Sequence, residues 1–83
     1  MFTFLRELEL MGATYRLGYY LDPEFSPENG WITVHVDAAA GMLWEVDFFA
    51  DGTVNLDRFA WTRRDEETPV LDALLAELRD LRQ

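Results

Sequence analysis

The run Met42-Leu43-Trp44-Glu45-Val46-Asp47-Phe48-Phe49-Ala50-Asp51-Gly52-Thr53-Val54-Asn55-Leu56-Asp57 has the pattern of a β-hairpin. Met42, Trp44, Val46 and Phe48 share one side at the period of two that a strand imposes, and Glu45 and Asp47 share the other. Ala50-Asp51-Gly52 reads as a three-residue loop, a type I turn with Gly52 in the left-handed position. The loop length can be checked by what it pairs. Three residues set Phe48 opposite Val54 and Val46 opposite Leu56. Two would set Val46 opposite Asp57, and a slip of one residue turns the apolar face to water. The longer loop is therefore expected, and on the polar face it sets Glu45 opposite Asp57.

The flanking segments extend this hairpin into a sheet. In Trp31-Ile32-Thr33-Val34-His35-Val36, Ile32, Val34 and Val36 point one way and Trp31, Thr33 and His35 the other. Reading Asp37-Ala38-Ala39-Ala40-Gly41 as a small-residue turn places Thr33 beside Glu45 and Trp31 beside Asp47. Thr14 to Leu21 alternates as a further strand, with Tyr15, Leu17, Tyr19 and Leu21 against Arg16, Gly18 and Tyr20. Two prolines and a terminal Asn-Gly mark residues 22–30 as a loop. Thr53 to Trp61 is the last expected strand, and Thr62 to Glu67 a charged connection. Phe4, Leu5, Leu8 and Met11 predict a helix over about residues 3–11, stopped by Gly12. Leu71, Leu74, Leu75, Leu78 and Leu81 predict a second over 69–82, with Thr68 as N-cap and Pro69 at its first position. The expected architecture is α+β: an N-terminal helix, a four-stranded antiparallel meander and a C-terminal helix, in one domain over residues 1–83. The pattern leaves open which sheet face the helices cover.

With 83 residues, 49% hydrophobic and 14% aromatic, the chain is long enough for one aromatic-rich core. It has no cysteine, which excludes a disulfide framework and a thiolate zinc site. No signal peptide is expected from Met1 to Glu7, and no apolar stretch is long enough to span a bilayer; a cytoplasmic location is the expectation. Sixteen carboxylates face seven arginines, for a formal net charge of −9. The arginines lie at 6, 16, 58, 63, 64, 79 and 82, and none falls between Leu17 and Asp57, a span with eight carboxylates. Such a surface repels nucleic acid and anionic lipid and attracts basic proteins. It equally serves solubility.

Enzyme signatures are absent: there is no Gly-rich phosphate loop, no nucleophile elbow and no Cys–His pair. Ser26 lies in a loop between prolines with no base nearby, and His35 reads as an ordinary strand residue. No catalytic residue, metal ligand or cofactor is expected, and the chain is not expected to be an enzyme. The Glu45–Asp57 juxtaposition is the exception to a bland reading, because like charges facing each other destabilise a sheet. It admits three uses: a tolerated solvated face, an interface for a cationic partner, or carboxylate chemistry. The last requires a concave site that a flat sheet face does not offer. Aromatics beside carboxylates suit an arginine-rich surface, unless a helix covers that face and makes them core. The candidate partner-binding residues are therefore Trp31, Thr33, Glu45, Asp47 and Asp57. A second set, Asp22, Glu24, Phe25 and Glu28, lies in the acidic loop.

The run Leu43 to Asp57, with an acidic loop before it and a leucine-striped helix after it, resembles small acidic immunity proteins of bacterial toxin systems. The likeness covers roughly residues 15–83 and carries no single contact residue over. It implies one-to-one inhibition of a cognate toxin, such as a nuclease with a basic cleft. Phage-encoded inhibitors of defence nucleases, anti-CRISPR and anti-restriction proteins that mimic nucleic acid, are similarly short and acidic. A structural homodimer, paired through an exposed strand or the outer sheet face, is the alternative from another class.

Overall fold

The computed structural model describes residues 1–20, 30–60 and 63–82. Among them the order is α1 (Phe2–Leu10), β1 (Tyr15–Tyr20), β2 (Trp31–Ala39), β3 (Met42–Phe49), β4 (Val54–Ala60), β5 (Arg63–Glu67) and α2 (Leu71–Leu81). The strands form one antiparallel sheet in the order β1-β2-β3-β4-β5. The fold is α+β as expected, but with five strands, not four. The segment expected to be a charged connection is β5, which pairs Leu56 with Glu67 and Asp57 with Glu66. Arg63-Arg64-Asp65-Glu66-Glu67 lacks the apolar alternation that marks a half-buried strand. It is an edge strand, where backbone pairing suffices and charge discourages further strand addition.

The hairpin between β3 and β4 has the expected register, Phe48 opposite Val54, Val46 opposite Leu56 and Glu45 opposite Asp57. The Phe49 N–H donates to Thr53 O at 3.0 Å, the Gly52 N–H donates to Phe49 O at 3.0 Å, and Gly52 has φ +90°. The β2–β3 register differs from the expectation. β2 continues through Asp37 to Ala39, with an irregularity between those residues, and Ala39 pairs with Met42 around a tight turn at Ala40-Gly41. The pairing moves by two residues: Thr33 faces Asp47, not Glu45, and Trp31 faces Phe49, not Asp47. A shift of two preserves which face each side chain occupies, so hydrophobic patterning could not detect it.

Both helices cover the same sheet face. Phe4 and Leu8 of α1 and Leu74, Leu75 and Leu78 of α2 close a core with Val34, Val36, Trp44, Val46 and Leu56. α1 ends in a Schellman motif: Ala13 N–H donates to Leu8 O at 2.9 Å and Gly12 N–H to Glu9 O at 3.1 Å, with Gly12 at φ +73°. α2 begins at Leu71, two residues later than expected. Val70 is its N-cap and no side chain caps it, so the Thr68 cap and Pro69 start do not hold. Arg79 Nη2 donates to Glu7 Oε2 at 2.8 Å, tying α2 to α1, and Arg82 Nη2 donates to Gly12 O at 2.8 Å. Arg58 sits over the Trp44 ring and pairs with Glu77 of α2 and Glu67 of β5.

Candidate protein-binding face

With both helices on one side, no helix of the described residues lies on the opposite side of the sheet, and the strand registers arrange its residues in rows across the strands. Tyr20, Trp31 and Phe49 make one row. The next holds Gly18, Thr33, Asp47 and Asn55, and the third Arg16, His35, Glu45, Asp57 and Glu66. Leu43, Phe59 and Arg64 follow.

The aromatic row is a contiguous ladder. Tyr20 stacks on Trp31 at 5.4 Å between centroids and 13° between planes, and Trp31 meets Phe49 at 5.7 Å and 39°. Trp31 and Phe49 are half-buried and Tyr20 is exposed. Gly18 makes room for this arrangement: a Cβ there would fall 3.0 Å from Tyr20 Cε2 and 3.3 Å from His35 Nε2. Tyr20 therefore leans over Gly18 toward the polar rows. A cleft of about 650 Å³ opens at the same end of the sheet, lined by Tyr19, Trp31, Ile32, Phe48 and Val54 among others.

The carboxylates beside the ladder have partners of their own. Thr33 Oγ1 donates to Asp47 Oδ1 at 2.5 Å. His35 Nδ1 stands 3.3 Å from Glu45 Oε1, without the alignment of a directed hydrogen bond. Asp57 is 6% exposed and accepts from Arg64 Nε at 3.2 Å and Nη2 at 3.0 Å, while Arg64 also reaches Glu66 at 3.4 Å. The Arg64 guanidinium lies 5.5 Å from the Phe59 ring centroid. The Glu45–Asp57–Glu66 row therefore has a cation beside it, supplied by the strand that sequence reading missed.

Of the expected contact residues, the structure brings Trp31, Thr33, Glu45, Asp47 and Asp57 onto one face. It makes Thr33 and Asp57 buried polar supports and leaves Trp31, Glu45 and Asp47 partly open. Asp22, Glu24, Phe25 and Glu28 lie outside the described residues, as does Trp61. Sequence reasoning did not include Tyr20, Phe49, Arg64 or Glu66. The alternation in β1 already placed Tyr20 on this side, but joining it to Trp31 and Phe49 needed the β2–β3 register. No three His, Asp or Glu side chains converge as metal ligands among the described residues. None of their helices is long and apolar enough to cross a membrane. No family model, curated protein or solved structure matches the chain.

Proposed function

We propose that the sheet face opposite the two helices binds a basic protein and that the domain acts as an inhibitor by covering that partner's cationic surface. The observation that carries this reading is the aromatic ladder Tyr20–Trp31–Phe49, with Asp47 in the row beside it and Glu45, Asp57 and Glu66 in the row beyond, on a face that no described helix covers. Planar guanidinium groups stack on such rings and pair with adjacent carboxylates, a combination common at interface hot spots. The acid-rich surface around it steers a cationic partner and accelerates encounter. An immunity protein for a toxin nuclease in the cytoplasm fits this chemistry, and so does a phage inhibitor that mimics nucleic acid. The two differ in partner, not in mechanism at this face.

The test is capture of partners from lysate of the source cell at low and high salt, with wild type beside two variants. Trp31→Ala removes the centre of the ladder, and the combined change Glu45→Gln, Asp47→Asn, Glu66→Gln removes the accessible charge. A basic protein retained by wild type, weakened by both variants and slower to associate as salt rises supports the reading. Equal retention of that protein by folded wild type and both variants sinks it.

A further inference from the structure

We infer that the edge of β1, which no described strand pairs, joins β1 of a second copy of this chain in antiparallel register about Leu17. The two edges of the sheet are unlike. β5 presents Arg63, Arg64, Asp65, Glu66 and Glu67, whereas β1 is Tyr15-Arg16-Leu17-Gly18-Tyr19-Tyr20. An edge charged at every position resists strand addition, and an aromatic one with a single charge, Arg16, invites it. Among the described strands β1 alone carries no carboxylate. In a chain of net charge −9, it is the edge along which two copies meet least repulsion. Among the described residues seven large hydrophobics are exposed, and three of them are on β1: Leu17 at 37%, Tyr19 at 73% and Tyr20 at 42%.

Backbone geometry selects the register. Asp37 N–H donates to Thr14 O at 3.1 Å, so Thr14 and Asp37 form a hydrogen-bonded pair. Pairs alternate along an antiparallel ladder, so Arg16, Gly18 and Tyr20 turn their backbone groups to β2. Tyr15, Leu17 and Tyr19 therefore turn theirs to the edge that no described strand pairs. A two-fold axis at Leu17 sets Leu17 against its own copy and Tyr15 against Tyr19 of the other chain. With two bonds at each of these three pairs, about six backbone hydrogen bonds form. The three odd-numbered side chains all lie on the helix side of the sheet, so exposed Leu17 and Tyr19 gain apolar neighbours there. On the other side Arg16 faces Gly18 of the second copy, and no like charges meet. The two sheets become one, with both aromatic–acidic faces on the same side. This inference stands apart from the reading of that face, which β1 pairing leaves open.

Sedimentation velocity over a concentration series gives the first test, and a doubling of mass on concentrating is expected. Leu17→Lys places two cations on the axis and returns the protein to a monomer. Leu17→Cys gives a chain with a single thiol, which on oxidation forms a covalent dimer, because paired Cα atoms about 5.5 Å apart lie within disulfide reach. Tyr19→Cys does not crosslink, since each copy then faces Tyr15. Hydrogen exchange gives a readout independent of mutation: amides of Tyr15, Leu17 and Tyr19 exchange fast in dilute protein and become protected on concentrating. A monomer at every concentration overturns the inference, as does a dimer that survives Leu17→Lys or one crosslinked by Tyr19→Cys in preference to Leu17→Cys.

Discussion

Asp57 lies between Glu45 and Glu66 on neighbouring strands, is almost wholly withdrawn from water, and is held by the Arg64 guanidinium. Removing a partner from a buried charge costs more than removing the charge itself. Arg64→Gln is expected to destabilise by about 1–3 kcal/mol in urea unfolding, and Asp57→Asn by less, because it also relieves repulsion from Glu45 and Glu66. The double variant recovers part of the Arg64→Gln loss. Trp44 poses a second problem at this scale: its ring is fully buried and its Nε1 has no acceptor among the described residues. Trp44→Ala should cost about 3–5 kcal/mol through the cavity it leaves. Trp44→Phe should cost markedly less, since it also removes the orphaned donor. Two groups outside the core contribute a pH dependence of known sign. The Thr53 hydroxyl and N–H donate to Asp51 at 2.6 and 2.9 Å and hold its carboxyl below the ordinary range. That contribution is present above about pH 4 and is lost as pH falls through the lowered value. Tyr15 donates to Glu9 at 2.6 Å, and that bond, with some burial and the carboxylate's charge, raises its phenol. Its contribution is present below about pH 10 and lost as pH rises through the raised value. Acid and alkaline melts of Asp51→Ala and Tyr15→Phe should differ from wild type in opposite directions of pH: the former gap closes in acid, the latter in alkali.

At the scale of elements, β5 shows why only part of the site was legible. The β3–β4 hairpin was readable to the residue because a three-residue loop and a buried face constrain each other: a loop one residue shorter or longer sets Val46 or Leu56 against the polar face. The α2 stripe was readable because five leucines at helical spacing have no alternative use. β5 has neither kind of constraint. Its side chains are charged and none is apolar, and the ion pairs it makes with Asp57 and Arg58 depend on a register the residue types do not announce, so nothing in residue type separates it from a loop. The β2–β3 register escaped for a different reason. Thr33 moved from Glu45 to Asp47 by two residues, which leaves every side chain on its own face and hydrophobicity unchanged. The aromatic row depended on that register and was therefore legible only as separate residues. The turn glycine gives a direct test of the readable part. Gly52 at φ +90° has open space where a Cβ would go, so the cost of Gly52→Ala is backbone strain alone. A loss of about 1–2 kcal/mol is expected, with no change in the fold's spectroscopic signature.

At the scale of the whole molecule, the question is whether attraction between specific pairs or repulsion within the net charge governs the response to salt. The attractive pairs include Arg64–Asp57, Arg79–Glu7 and the Arg58 contacts with Glu77 and Glu67. Arg79–Glu7 is a solvent-exposed pair and contributes little, about 0–1 kcal/mol, whereas Arg64 is itself about half exposed but holds the buried Asp57. Arg58 is better shielded: burial pulls its pKa down, but its hydrogen bonds to Glu67 and Glu77 outweigh that and leave it raised. Against these stand sixteen carboxylates on a chain with seven cations, drawn together by folding. Salt screens charges beyond about 10 Å at 0.1 M, which weakens diffuse repulsion while leaving the Arg58 cluster largely intact. Thermal stability is therefore expected to rise by a few degrees as sodium chloride goes from low to moderate concentration. The same screening should slow capture of a cationic partner, so that stability and association rate move in opposite directions along one salt series. Melting curves and stopped-flow binding on one preparation measure both. If stability instead falls with salt, the ion pairs outweigh the self-repulsion, and the acid-rich surface then has to be explained by folding before it is explained by binding.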